Sequence, residues 1–374
     1  MLFKNIIGQD QIKKHLIHSV KENRISHAQL FLGQEGVGKL ALAIAYAQYI
    51  CCENKKDDDS CGVCKSCVKF EKLAHPDLHF LYPFSATKEK PVSASHLAEW
   101  RNLLIENKCY VSLSEWYQAI GMESKQGIIN ASDCNEVIKT LSLKSYESEY
   151  KIMVIWMIEK LFHSAAPKLL KILEEPPDKT LFLLICENHE QVISTILSRA
   201  QIIKIPHISD KELMHALINE YEIVPKRANE IIRLAEGNYI EASLLAADSF
   251  EDTNFELLRE WMRLCYKDAV IELIGWVDKF SKAGREKQKG FLLNSIRIFR
   301  ECILVSTEKS ELIKSDGEEL KFARDFSPFI NVHNSIRIIQ EFDDAIFHIE
   351  RNANPKILFL DLSFKMTEMI KIKA

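Results

Sequence analysis

The sequence lacks any apolar run long enough to cross a bilayer as a helix, which takes about 20 consecutive apolar residues. The longest candidate, 40–52, is broken by Gln48 and reads as a buried helix. The opening residues, Met1-Leu2-Phe3-Lys4-Asn5, carry neither the apolar stretch nor the small-residue cleavage site of a secretory signal. An excess of positive charge is missing too. The 49 Lys and Arg face 53 Asp and Glu, for a net charge of −4. That balance excludes a chain that binds nucleic acid through bulk charge, so any DNA contact must be local or made by a partner. There is no internal repeat and no low-complexity tract. What remains is an ordinary globular composition, 47% hydrophobic and 27% charged. The expectation is a soluble, cytoplasmic protein whose ten cysteines are thiols or metal ligands rather than disulfides.

Five short apolar runs, 29–32, 78–82, 152–157, 181–186 and 202–205, read as buried parallel strands. Helical patterns lie between them, at 40–50, 134–143, 164–175 and 191–199. Pro176-Pro177 ends the third, because a residue before proline is pushed out of the helical region. Strands alternating with helices predict a doubly wound α/β domain over 1–207. After Pro206 the strands stop. Ser209-Asp210 opens a helix at 211–221, Pro225 marks a break, and 228–235 and 240–247 continue as helices around Gly237-Asn238. A small helical domain is expected over 208–250 and an all-helical one over 251–374. In the latter, Ile339, Phe342, Ile346 and Ile349 recur at helical spacing. Asn354-Pro355 then starts a last helix carrying Leu358, Leu362 and Met366.

The chemistry-bearing motif is Gly33-Gln34-Glu35-Gly36-Val37-Gly38-Lys39, the opening of G-x-x-x-x-G-K-[ST]. It follows a predicted strand and precedes a predicted helix, the context in which backbone amides and a lysine cradle phosphate. Leu40 then stands where the hydroxyl that ligates Mg²⁺ should be. The acidic pair expected after the third strand is also missing. Trp156-Met157-Ile158 come first and Glu159 only afterwards, as a surface acid at the strand's end. Lys39 and the amides still favour phosphate, so the sequence leaves ATP binding open. Mg²⁺ and intrinsic ATPase activity are not expected.

Cys52, Cys61, Cys64 and Cys67 have a spacing that can close a tetrahedral, structural Zn²⁺ site. Cys51 could replace Cys52. A nucleic-acid knuckle is disfavoured by the acidic Glu53 and Asp57–Asp59 beside it. Ser198-Arg199-Ala200 ends the helix after the fourth strand. Taken alone, Arg199 there merely complements the helix dipole.

The motifs together resemble bacterial clamp-loader subunits of the AAA+ class. They comprise Ser26-His27-Ala28-Gln29-Leu30-Phe31-Leu32-Gly33 running into the loop, the four-cysteine insert, His75-Pro76-Asp77, the run from Leu169 to Pro177, and Ser198-Arg199. The resemblance covers the first 245 residues and returns more weakly at 352–356. The loss of the loop hydroxyl and of the acidic pair resembles the non-hydrolysing delta-prime branch rather than the gamma/tau ATPases. The alternative is an active, gamma/tau-like ATPase motor. The resemblance implies an AAA+ core with a five-stranded parallel sheet, a helical lid and a helical collar that makes the oligomer. It implies a DNA polymerase III complex with gamma/tau and delta subunits that opens a sliding clamp and places it on primed DNA. It implies that Arg199 is an arginine finger acting in trans on a gamma/tau ATP site. It also places Glu241 where ATPase relatives carry a sensing arginine, and Asn188 at the family's first sensor, where, with no metal or water to position, a structural role is expected. One region departs from the pattern. The long insert 84–130, with Leu97, Trp100, Leu103, Leu104, Trp116 and Tyr117, is either a helical decoration packed on its own domain or an extra docking surface.

Overall fold

The computed structural model describes residues 1–371 except 88, 123–124, 247–252, 307–312, 314, 316, 332–333 and 352. The expected boundary at 250–251 and Asn352 of the 352–356 motif therefore lie outside the described residues. The chain divides into two compact units, one of Met1–Met122 with Gln126–Ala246 and one holding the described residues after 246. No helix among the described residues is long and apolar enough to cross a membrane.

In the first unit the elements run α1 (Asp10–Lys21), β1 (Ala28–Leu32), α2 (Lys39–Cys51), α3 (Lys65–Glu71), β2 (Leu78–Leu81), α4 (Leu97–Glu106), α5 (Leu113–Ala119) and α6 (Ala131–Ser142). They continue with β3 (Lys151–Ile155), α7 (Ala166–Glu174), β4 (Thr180–Cys186), α8 (Ser194–Leu197), β5 (Gln201–Lys204), α9 (Asp210–Tyr221), α10 (Pro225–Ala235) and α11 (Tyr239–Ala246). The five strands form one parallel sheet in the order β2-β3-β4-β1-β5. β3 and β4 are buried along their whole length, which is why they read as continuous apolar runs. Successive side chains part to opposite faces. Ile152, Val154, Leu183 and Ile185 pack with α2, whereas Met153, Ile155, Phe182 and Leu184 pack with α6 and α7.

Local chemistry sets the helix boundaries. Asn130 and Asp133 close a capping box on α6, and Ser209 and Glu212 close one on α9. The break marked by Pro225 falls between Tyr221, the end of α9, and Pro225 itself. The proline opens α10 at the first turn, where its missing N–H costs nothing. β3 ends two residues sooner than its apolar run, because Met157 takes a left-handed φ of 57° and turns the chain out of the sheet. The helix expected at 191–199 shrinks to one turn of 3₁₀ helix at His189–Gln191 and the short α8.

His75-Pro76-Asp77 has a structural explanation. The Asp77 carboxylate accepts from the backbone N–H groups of Tyr146, Glu147 and Ser148 at 2.6, 2.8 and 2.8 Å, pinning the chain that enters β3. Burial pushes its pKa up, but these donors outweigh burial and hold it below the ordinary aspartate value. The stabilisation is therefore complete above the unfolded value of about 3.9 and is lost as pH falls through the lower folded value. Asp77→Asn, which keeps the shape and removes the charge, should destabilise the protein by about 3 kcal/mol at neutral pH. Urea melts of both proteins at pH 7 check this, and equal midpoints would refute it.

The insert 84–130 is helical decoration, and its tryptophans are core. Trp100 and Trp116 are both 0% exposed. Their rings meet at 5.0 Å, Trp100 meets Tyr82 at 4.5 Å and Trp156 at 5.0 Å, and the Trp116 indole donates to the Pro83 carbonyl at 2.8 Å. Neither side chain is available as a docking anchor.

The second unit holds α12 (Thr253–Lys267), α13 (Val270–Phe280), α14 (Arg285–Ser306), α15 (Gly317–Phe326), α16 (Ser335–Glu350) and α17 (Pro355–Met369). Its core stacks Trp261 on Trp276 at 5.6 Å and sets Phe280 against Phe359 at 4.8 Å. The Trp261 indole donates to Ser363 Oγ at 2.8 Å, tying α12 to α17. Phe342, Ile349, Leu362 and Met366 face this core as their spacing predicts. Asn354 caps α17 by accepting from Lys356 N at 3.0 Å and Ile357 N at 3.4 Å.

Candidate functional site

The glycine-rich segment turns between β1 and α2, at the C-terminal end of the central strands. Gly36 and Gly38 take φ of 72° and 87°, a region that excludes most side chains. At Gly36 the space is also taken, since a Cβ there would stand 1.7 Å from Asn238 Oδ1. Gly33 closes the turn by donating its N–H to the Cys186 carbonyl at 3.2 Å. Lys39 opens α2, yet it is 5% exposed. Its ammonium donates to the Gln34 carbonyl and pairs with Glu187 Oε1 at 3.3 Å. The lysine that would hold a phosphate is thus held by the chain's own oxygens. Leu40 is 4% exposed and belongs to the core.

The metal side of the pocket is equally altered. Trp156 and Met157 are buried where the acids would stand. Glu159 is not the surface acid expected. Its Oε1 accepts from Glu187 N at 2.8 Å and Asn188 N at 3.3 Å, and its Oε2 is shut off from solvent without a partner. Burial raises its pKa. The carboxylate holds the chain leaving β4, and Asn188 then caps the next turn by accepting from Glu190 N at 3.0 Å. The cavity lined by Gly36, Gly38, Lys39 and Leu40 is about 20 Å³. That admits one water, which needs about 10–15 Å³, whereas small-molecule sites run to about 300–1,000 Å³.

The four cysteines sit at the other end of α2. Cys52 follows the helix, and Cys64 caps α3. The four Sγ atoms lie within 4.8 Å of one another, with Cys61 and Cys67 at 3.9 Å. A tetrahedral Zn–S₄ centre with bonds of about 2.3 Å has edges of about 3.8 Å, so the set fits that metal. Backbone N–H groups of Cys61, Cys64 and Cys67 point at the sulfurs of Cys52, Cys61 and Cys64 at 3.3, 3.3 and 3.4 Å. Such donors stabilise thiolates. The N–H groups of Val63 and Cys64 bring the Cys61 thiol down to about 6. The cluster contains Cys52 and not Cys51. The Cys51 thiol turns away to Ser148 Oγ at 3.4 Å, and burial pushes it up to about 12.

Arg199 follows α8 and keeps 34% of its side chain exposed. Its guanidinium donates to the Thr195 carbonyl at 2.8 Å and Ser198 Oγ at 3.2 Å, and it pairs with Glu174 at the end of α7. It lines no part of the cavity over the loop. Gly33, Gly36, Gly38 and Lys39 thus lie in one turn, while Lys39 and Arg199 have carboxylate partners that the sequence does not mark. Glu187 and Glu174 are acids in loops or at helix ends, where no periodicity marks them.

A protein-family model described as "DNA polymerase III, delta subunit" matches residues 8–209. A DNA polymerase III subunit delta' of Bacillus subtilis is 26% identical over 252 residues, 67% of this chain and 63% of that protein. A DNA polymerase III subunit tau of Escherichia coli is 25% identical over 245 residues, 64% of this chain and 32% of that protein. The chain thus spans less than two thirds of the length of these relatives. A solved DNA polymerase III gamma subunit-related protein of Thermotoga maritima superposes with a TM-score of 0.44 at 14% identity, covering 97% of this chain and all of that one. The family match takes in β1, the glycine loop, all four cysteines and Arg199, and it spans more than half of the sequence. On that ground the chain belongs to the DNA polymerase III delta' family of clamp-loader subunits.

Proposed function

We propose that this protein is a non-hydrolysing stator of the DNA polymerase III clamp loader. In this reading it assembles with gamma/tau and delta subunits to place a sliding clamp on primed DNA. Delta' and tau relatives match at nearly equal identity, so the choice between the branches rests on the loop. One observation carries it: the side chains of Leu40, Trp156 and Met157, which stand buried where a magnesium ligand and a water-aiming acid belong, bear no oxygen. The pairing of Lys39 with Glu187 agrees. Arg199, on the exposed end of α8, is the group we assign to a neighbour's ATP site. Residues 208–250 then act as lid and 251–374 as oligomerising collar. The four cysteines hold a structural Zn²⁺, leaving no open position for catalysis. A cytoplasmic location follows from that work.

The competing reading, an active ATPase, calls for unorthodox metal ligation through Glu159, but Oε1 of that carboxylate is engaged with backbone N–H groups. A steady-state ATPase assay of the isolated chain separates the two. The stator shows no turnover above background, with or without Lys39→Ala. Turnover that vanishes in Lys39→Ala would reverse the assignment. Mass measurement after mixing with gamma/tau and delta subunits should show the hetero-oligomer.

A further inference from the structure

The insert 84–130 sends Cys109, Tyr110 and Val111 to line the cavity over the loop. α4 and α5 are joined through Asn107-Lys108-Cys109-Tyr110-Val111-Ser112. Lys108 and Cys109 both take left-handed φ, 49° and 63°, so the chain doubles back and sends Tyr110 inward. The turn is held by Cys109 N to the Leu104 carbonyl at 2.7 Å and Tyr110 N to the Asn107 carbonyl at 2.8 Å.

Tyr110 lands on the glycine loop. Its hydroxyl is 3.0 Å from where a Cβ on Gly38 would stand, and it accepts from Ile7 N at 3.1 Å. Its ring meets that of Tyr239 at 4.7 Å, edge to face. Tyr239 opens α11. Its N–H donates to the Gly36 carbonyl at 3.1 Å and its hydroxyl to Glu220 of α9. Glu220 also pairs with Lys108 at 2.8 Å, returning to the turn that carries Tyr110. The loop, the N-terminal segment, the insert and the α9–α11 helices are thus joined in one closed circuit. Tyr110 lines the cavity beside Gly36, Gly38 and Lys39.

We propose that Tyr110 is a built-in occupant of the nucleotide pocket. It shuts out purine nucleoside triphosphates and ties α9–α11 to the sheet in one nucleotide-independent arrangement. This goes beyond the stator reading, because it gives the insert a mechanical role. A relative that cycles through ATP must let its lid follow the ligand; a chain with its own plug presents one fixed face at every stage of its neighbours' cycle.

The test uses the full chain, with ATP and Mg²⁺ as the probe. In the wild type, ATP leaves the melting temperature unchanged and gives no binding heat. In Tyr110→Ala, tryptic cleavage at Lys211 and Arg233, both exposed on α9 and α10, quickens on the order of tenfold under native conditions, as expected for the loss of an aromatic pair and a partly buried hydrogen bond. Should Tyr110→Ala fail to fold, Tyr110→Phe and Lys108→Ala each open the circuit at one link and should each quicken the same cleavages. Cleavage at the wild-type rate in the folded variants overturns the proposal, as does ATP-induced stabilisation of the wild type. ATP bound without turnover would sink the plug and leave the stator reading standing, so the two fail separately.

Discussion

Cys67→Ser should strip the metal from the four-cysteine centre and lower the melting temperature by about 10 °C, the largest stability effect of any single change considered. The magnitude follows from how the segment 53–66 is built. It contains no strand, and α3 begins only at Lys65. Its exposed residues include Val63, an apolar side chain 80% exposed. Nothing but the sulfur cluster and a few hydrogen bonds, such as those of Asp59 to Phe3 N and Lys4 N, gives it shape. In zinc-finger peptides the apparent metal-binding free energy is about 10–16 kcal/mol at neutral pH, and it appears as folding energy. Here the loss is capped, because the segment can come apart while α2 stays buried in the sheet. A local loss of about 3–4 kcal/mol converts to about 10 °C in a unit of this size.

Metal analysis checks the assignment directly. Purified wild type should return about one Zn²⁺ per chain, as a Cys₄ site requires, and Cys67→Ser almost none. Cys51→Ser is the control, since its thiol points to Ser148 instead, and it should keep the metal. A wild type devoid of zinc would show the sulfurs to be free thiols. Thiolate ligands are lost to protons as pH falls, so release of zinc in acid follows with the same sign.

How much of this was legible beforehand depends on whether a feature has a period or a partner. β3 and β4 were readable because burial on both faces leaves an unbroken apolar run. The caps at Ser209 and Asn354 were readable because a hydroxyl or amide ahead of a helix has one common use. The loop was readable from its own spacing, and so was its departure from the motif at Leu40 and Trp156, whose side chains carry no oxygen. The occupied state of the pocket was not readable. Tyr110 lies 72 positions from Gly38, in a stretch with no repeat, and only the three-dimensional chain brings them together. The tryptophans of the insert illustrate the same limit. An indole on a helical face reads alike whether it meets a partner or, as Trp100 and Trp116 do, its own sheet. Glu159 looked exposed because it follows a strand end, but the chain leaving β4 folds over it and its N–H groups seek the carboxylate.

In the complex we propose, Arg199→Ala should leave assembly intact and reduce hydrolysis at the neighbouring ATP site by a factor on the order of 10³, the lower bound for an arginine finger. The arginine now rests in an ion pair with Glu174, whose side chain is 46% exposed against 34% for Arg199. A pair so wet contributes about 0–1 kcal/mol. Swinging the guanidinium out to a partner therefore costs little beside the roughly 4 kcal/mol that a thousandfold rate represents. The short α8, anchored by Ile196 in the core, supplies a firm base for the reach. Arg199→Lys discriminates the role further. An ammonium retains the charge but loses the planar fork that grips two phosphate oxygens, so it should recover only part of the rate. The reconstituted loader's DNA-stimulated ATPase reports both variants, and the mass of the complex reports assembly. Because other ATP sites in the ring keep their own fingers, the total rate falls less than the single-site rate, and single-turnover measurements are the sharper readout. Hydrolysis at the wild-type rate in an intact Arg199→Ala complex would return Arg199 to its lesser role, a cation that complements the end of a helix and pairs with Glu174.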